Sequence, residues 1–248
     1  MNEPVVMPSV HVLQRSVPLQ CWTYLVAGPE GAVLVDPGSG VCEGAINAEI
    51  RRCGLALEDV RYVLLTHCHV DHAGGAHLYR ERGMKLVASP TAAGKLRAAS
   101  REVWYEYPAY VIPTRVDLMP TDGERLDLCG LSVTAVYTPG HTAGSTSYLF
   151  DGPDGAVAFT GDMLEGDGGL AWAGSEDFCE DAVLASVAKL LALAPARAFW
   201  GHGVVARPAT AWLRDGLALG RAGRWRRVTA RHPEHRPPAL LRRRVGSE

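Results

Sequence analysis

Long apolar runs are missing from this 248-residue chain, and none approaches the ~20 residues that a bilayer-spanning helix requires. The opening Met1-Asn2-Glu3-Pro4 also lacks the basic stretch followed by an apolar one that marks a secretory signal. Membrane insertion and export are therefore not expected, and the cytoplasm is the expected location. The six cysteines form no C-x-x-C pair. Cys42 and Cys53 read as sharing one helix, where eleven residues at ~1.5 Å rise put them about 16 Å apart, too far for a disulfide. The G-x-S-x-G elbow of a serine hydrolase is absent, so no serine nucleophile is expected. What remains is an ordinary globular composition, 47% apolar and 21% charged with a net charge of −2, enough for one well-buried core.

Against that background one stretch stands out. Thr66-His67-Cys68-His69-Val70-Asp71-His72 places three imidazoles and a carboxylate within six positions, directly after the apolar β-type run Arg61-Tyr62-Val63-Leu64-Leu65. A lone histidine on an apolar face is more often a satisfied core residue than a ligand. Four donors in H-x-H-x-D-H order are costly to bury without a cation, and imidazole with carboxylate suits zinc, iron or manganese. In an extended stretch His67 and His69 point to one side, and Asp71 and His72 can join them only where the chain leaves the strand. Gly74 and Gly75 read as a flexible exit, followed by a helix. Cys68, between the two histidines, reads as a small buried apolar residue rather than a thiolate ligand.

Three more blocks follow in order: Thr138-Pro139-Gly140-His141-Thr142, Phe159-Thr160-Gly161-Asp162 and Trp200-Gly201-His202-Gly203. Together with the first, over about residues 10–202, they resemble the metallo-β-lactamase-fold hydrolase superfamily, in its glyoxalase II and lactonase-like branch. The resemblance implies a four-layer αβ/βα sandwich of two mixed β-sheets flanked by helices. It implies two divalent metal ions, zinc first, with iron or manganese as alternatives. His67, His69 and His141 would hold one, and Asp71, His72 and His202 the other, with Asp162 bridging. Asp71, His72 and Asp162 carry the catalytic roles in this reading. Asp36, at the end of Ala32-Val33-Leu34-Val35-Asp36, is by resemblance a residue that hydrogen-bonds a ligand; a plain turn aspartate before Pro37 is the other reading.

A dimetal site lowers the pKa of a bridging water toward neutrality, so the expected chemistry is attack of hydroxide on a carbonyl held by the same ions. Zinc β-lactamases of this fold typically replace the bridging aspartate; its retention as Asp162 turns the expectation toward thioesters, lactones and related esters, carried on a small molecule or a carrier. Glyoxalase II normally has a sizeable C-terminal helical domain, whereas 46 residues follow His202 here, which weighs against glutathione. A mononuclear-iron persulfide dioxygenase of the same fold is the alternative. A phosphodiesterase or nuclease ranks lower, because nucleic acid needs a basic groove.

The expected organisation is one catalytic domain over 1–225 and a basic tail over 226–248. From Arg221 onward there are nine arginines and two glutamates, a balance of +7 that leaves −9 on residues 1–220. That end reads as solvated, with His232 and His235 exposed; contact with an acidic partner or a phosphate is the other reading. An aromatic insertion at about 100–120, with Trp104, Tyr105, Tyr107, Tyr110 and Met119, reads equally as a pocket lid or as satellite core. Strands are expected near 9–14, 21–26, 32–36, 61–66, 85–88, 124–128, 131–137, 145–150, 156–160 and 197–200. Helices are expected near 42–54, 74–82, 91–102, 178–193 and 208–224.

Overall fold

Strand β3 (Gly31–Val35) is short, apolar and almost wholly buried, as a strand covered on both faces must be, and β4 (Val60–Leu64) buries Val60, Val63 and Leu64 while Arg61 is exposed. They lie side by side and parallel, joined through α1 (Glu43–Arg52), and β5 (Lys85–Val87) continues the parallel set beside β4. On the other flank β2 (Thr23–Gly28) pairs antiparallel with β3, and β1 (Ser9–Gln14) pairs antiparallel with β2 at the edge. A second sheet runs in the order β11-β10-β9-β8-β7-β6. It contains β6 (Arg125–Leu128), β7 (Leu131–Tyr137), β8 (Thr146–Phe150), β9 (Val157–Phe159), β10 (Arg197–Trp200) and β11 (Gly203–Val204). Only β9 and β10 are parallel there, linked through α5 (Glu180–Ala192). The computed structural model describes residues 9–14, 20–100 and 112–227. Trp104, Tyr105, Tyr107 and Tyr110 of the insertion, and the tail with His232 and His235, lie outside the described residues.

Alternation within each strand sorts its side chains between layers. Val33 and Val35 face the second sheet, whose Val133, Ala135, Tyr148, Phe150 and Phe159 meet them in one core. Their neighbours Ala32 and Leu34 face outward, against Ile46 and Ile50 of α1, Tyr79 of α3 (Ala76–Glu81) and Leu96 of α4 (Pro90–Ala98). On the far side Val136, Leu149 and Ala158 pack against Val183, Val187 and Leu190 of α5 and Trp212 and Leu213 of α6 (Ala209–Arg221). The result is the expected sandwich: helices, mixed sheet, mixed sheet, helices. Trp225 is buried in the outer core and Arg227 pairs with Glu180, so the chain stays on the body through the first residues of the basic stretch. Among the described residues no helix is long and apolar enough to cross a membrane.

The structure departs from the sequence reading chiefly around the first motif. The strand stops at Leu64, and a helical turn, α2 (Val70–Ala73), forms on the motif itself. Gly74 and Gly75 are not a flexible exit. Both have ordinary right-handed backbone, and a Cβ on Gly75 would stand 2.6 Å from Gly40 N. Glycine is needed because the corner between α2 and α3 packs directly on loop 38–40, tied by Gly75 N–H to Gly38 O at 2.7 Å and Gly38 N–H to His72 O at 3.0 Å. The two-residue β11 was not anticipated, being too short to show periodicity.

Candidate metal centre

All the donors follow C-terminal ends of strands or lie in turns beside them. Beyond β4, Thr66 to His69 form an irregular link, so His67 and His69 project from a loop, and Asp71 and His72 from α2. His141 lies in the loop after β7, Asp162 just after β9, and His202 in the turn between β10 and β11. Two glycines allow these loops to meet. Gly161, at φ +55°, packs on Thr66, whose Oγ1 would be 2.6 Å from an added Cβ. At Gly201 a Cβ would fall 1.8 Å from Asp162 Oδ1 and 2.6 Å from His72 Cε1, so a side chain there would fill the centre itself.

Every sequence-predicted donor arrives at one place. His67 Nε2 and His141 Nε2 lie 3.1 and 3.0 Å from His69 Nδ1. Nitrogens bound to one zinc at 2.0–2.1 Å in tetrahedral geometry stand about 3.3 Å apart, so this trio has the spacing of a ligand set. A second group combines Asp71, His72 and His202: His72 Nε2 is 3.6 Å and His202 Nε2 3.5 Å from Asp71 Oδ2. Asp162 stands between the two groups. Its Oδ1 is 3.4 Å from His72 Nε2, and its Oδ2 is 3.3 Å from His202 Nε2 and 3.8 Å from His141 Nε2. His72 Nε2 and Asp162 Oδ1 are buried with no hydrogen-bond partner among the described residues, an arrangement that a cation between them would relieve. These donors fit divalent metal ions.

Asp36 proves to be the orienting residue rather than a plain turn aspartate. Its backbone is held at φ +51°, an uncommon conformation that aspartate tolerates better than most residues. Oδ1 accepts the Thr66 N–H at 2.8 Å; Oδ2 accepts the Thr66 hydroxyl at 2.6 Å and His72 Nδ1–H at 2.8 Å. Because the Thr66 hydrogen is spent on Asp36, Thr66 Oγ1 accepts from His67 Nδ1–H at 3.1 Å. In their neutral forms both rings thereby present Nε2 lone pairs inward, a tautomer assignment that follows from the network. One carboxylate orients one ligand in each group.

The two groups differ electrostatically. Burial, reinforced by the neighbouring imidazoles, holds the pKa of His67 well below the usual histidine value, and burial does the same to His69. His141 is lowered too, again chiefly by burial. These rings are neutral and offer lone pairs at pH 7. Burial also opposes charge on His72, yet Cys21 and the carboxylates of Asp162, Asp71 and Asp36 outweigh it and hold the pKa well above the usual value. The Cys21 thiol is itself pushed up to about 12 by burial and is neutral at pH 7, so the carboxylates are the source. His202 is raised by Asp162 and Asp71 against its burial. Burial works against the Asp162 anion, but His202 and His72 prevail and its pKa lies well below the ordinary carboxylate range.

Cys68 is buried in the outer core of the first sheet and belongs to none of the donor groups, as expected. Sequence reasoning missed Cys21, which lies with Asp36 and His72, and Trp172, whose ring packs on His69. Neither sits in a recognisable motif. Tyr24 was missed as well: its hydroxyl reaches across the sheets to Trp200 O at 2.7 Å and Gly203 O at 2.9 Å, bracing the turn that carries His202. An open groove of about 820 Å³ lies elsewhere, around Arg61, Tyr62 and Lys85 at the opposite ends of β4 and β5, and holds none of the donors.

Comparison with known proteins agrees with this geometry. The Metallo-beta-lactamase superfamily profile matches residues 16–202. An atrochrysone carboxyl ACP thioesterase from Aspergillus fumigatus is 30% identical over 74% of this chain and 50% of its own length. A hydroxyacylglutathione hydrolase from Acidiphilium cryptum is 32% identical over 58% of this chain and 49% of its own. The chain thus spans about half the length of the curated relatives it matches. Among solved structures, a variant metallo-beta-lactamase from Cronobacter sakazakii superposes with a TM-score of 0.69 at 22% identity, over 88% of this chain and 95% of that one. That likeness is one of fold. With the profile spanning all four motifs and the donors gathered at one end of the sandwich, this chain belongs to the metallo-beta-lactamase superfamily.

Proposed function

We propose that the chain is a hydrolase working with two divalent cations, zinc foremost, that cleaves an acyl thioester, with lactones and related esters as the neighbouring class. The observation that carries this is Asp162, which stands between the two donor groups: Oδ1 faces His72 and Oδ2 faces His202 on one side, and Oδ2 also faces His141 on the other. In this reading His67, His69 and His141 hold one cation, Asp71, His72 and His202 the other, and Asp162 serves both. Bound there, the cations would supply Lewis acidity toward a carbonyl oxygen and the means to deprotonate a water near neutral pH.

The chain's own residues supply position and charge. Asp36 keeps His67 and His72 in the tautomers that point Nε2 inward. The low pKa of Asp162 keeps it anionic throughout the neutral range, able to accept a hydrogen bond from an incoming water. His202 has the most exposed side chain of the donors, at 28%, which puts the approach to the centre on its side. The names of two relatives, an ACP thioesterase and a hydroxyacylglutathione hydrolase, support an acyl thioester as the substrate class.

The test is a panel of thioesters, lactones and phosphodiesters assayed with protein of measured metal content. Two equivalents of divalent metal and thioester turnover are expected, and Asp162→Ala should lose both together. One equivalent of iron with oxygen uptake and no hydrolysis would overturn the proposal, as would Asp162→Ala retaining two metals and near-native turnover.

A further inference from the structure

The segment between β9 and α5 lays an indole against the donors. The ring of Trp172 lies with its centroid 5.9 Å from that of His69, the planes 70° apart. Its neighbours Ala171 and Ala173 are buried, whereas Trp172 is half-buried, so it keeps part of its surface open to solvent. A glycine seats it: a Cβ at Gly174 would stand 2.2 Å from Cζ2 and 2.5 Å from Cε2 of the indole, and any side chain there would push the ring away.

The segment is also clamped to the loop that carries His141. The Ser175 hydroxyl donates to His141 O at 2.7 Å, Ala143 N–H donates to Asp177 at 2.6 Å, and Cys179 N–H donates to Gly140 O at 2.8 Å. Asp177 additionally pairs with Lys95 of α4. Trp172 is therefore held at a set position relative to the first donor group, and an apolar group that packs on a ring already held in place loses little to ordering it.

Resting on the hydrolase reading above, we infer that Trp172 is a specificity-determining residue: its indole receives the apolar part of the acyl group beside His69, with Gly174 as its seat. Extended alkyl or aryl acyl groups are then preferred over acetyl. The preference grows with contact area, up to about fourfold per methylene buried.

The metal-loaded protein tests this without turnover. Binding of acetate, butanoate, hexanoate and octanoate is measured by calorimetry for the wild type, Trp172→Phe, Trp172→Ala and Gly174→Ala, each of checked fold and metal content. In the wild type affinity should climb with chain length. Trp172→Ala and Gly174→Ala should lose on the order of tenfold for octanoate with acetate unchanged, as expected for removal of an apolar pocket wall; Trp172→Phe should fall between. A wild type without length dependence, or equal weakening of acetate and octanoate in Trp172→Ala and Trp172→Phe, would overturn the inference. The same acyl groups as thioesters are assayed in parallel: absence of wild-type turnover removes the hydrolase reading, while the carboxylate series separately decides the role of Trp172.

Discussion

Replacing Asp36 by asparagine should weaken both metal groups at once, although Asp36 belongs to neither donor set. The carboxylate accepts three hydrogen bonds, at 2.8, 2.6 and 2.8 Å, and is 2% exposed, so solvent does little to soften its loss. An asparagine can still accept the Thr66 N–H through its carbonyl, but its amide then faces His72 Nδ1 and the Thr66 hydroxyl as a donor. His72 would meet that amide best with the proton moved to Nε2, the atom aimed at Asp162 and Asp71. Thr66, no longer donating to Asp36, would lose its fixed orientation toward His67. Loss of such an orienting partner typically lowers metal affinity ~10–100-fold, about 1.4–2.7 kcal/mol, and here it should register in both groups. Chelator competition with metal-titrated protein measures the two affinities. Affinities within twofold of wild type for both metals would refute the tautomer argument; weakening of one alone would refute the relay through Thr66 or the direct bond to His72. Asp36→Ala goes further, removing the acceptor of three buried donors, the Thr66 N–H and hydroxyl and His72 Nδ1–H, at about 1–3 kcal/mol for each left unsatisfied, which denaturant unfolding of the metal-free protein should show.

Metal affinity should rise with pH across the neutral range. His72 and His202 have raised pKa values in the metal-free protein, so a cation must displace their protons, and lowering the pH strengthens that competition; competition titrations at several pH values check it. Tyr24→Phe removes the hydroxyl that braces Trp200 O and Gly203 O and should cost about 1–2 kcal/mol by chemical denaturation, with the metal held by His202 weakened more than the other. Gly75→Ala should destabilise the fold by about 1–3 kcal/mol, because its Cβ would press on Gly40 N, a backbone atom with little room to yield; a stability equal to wild type would return that glycine to a flexible role. Trp212→Ala, fully buried and donating to Glu165 O at 2.8 Å, should cost about 3–5 kcal/mol while leaving the metal donors in place, as paired thermal and metal-content measurements would show.

Much of the centre was legible because its chemistry is local in the chain. His67, His69, Asp71 and His72 declare a cation site by density alone, and the strands before His141, Asp162 and His202 announce themselves by apolar runs of β-type residues. The alternation in Ala32 to Val35 already distributes side chains between two cores. Where the sequence reading erred, packing across loops decided the outcome. Gly74 and Gly75 carry a pattern that fits flexibility equally well, and only the nearness of loop 38–40 shows that they exist for close approach.

The sequence by itself thus determined the donor types, their order and the strands that deliver them, since these depend on side-chain chemistry and on periodicity within short windows. Tertiary structure alone decided that Asp36 reaches Thr66 and His72 from thirty or more positions away, that Gly201 leaves room for Asp162, and that Trp172 stands against His69. Those are distances between segments remote in the chain, and they are set by how two sheets and their loops pack, which no local pattern of residues encodes.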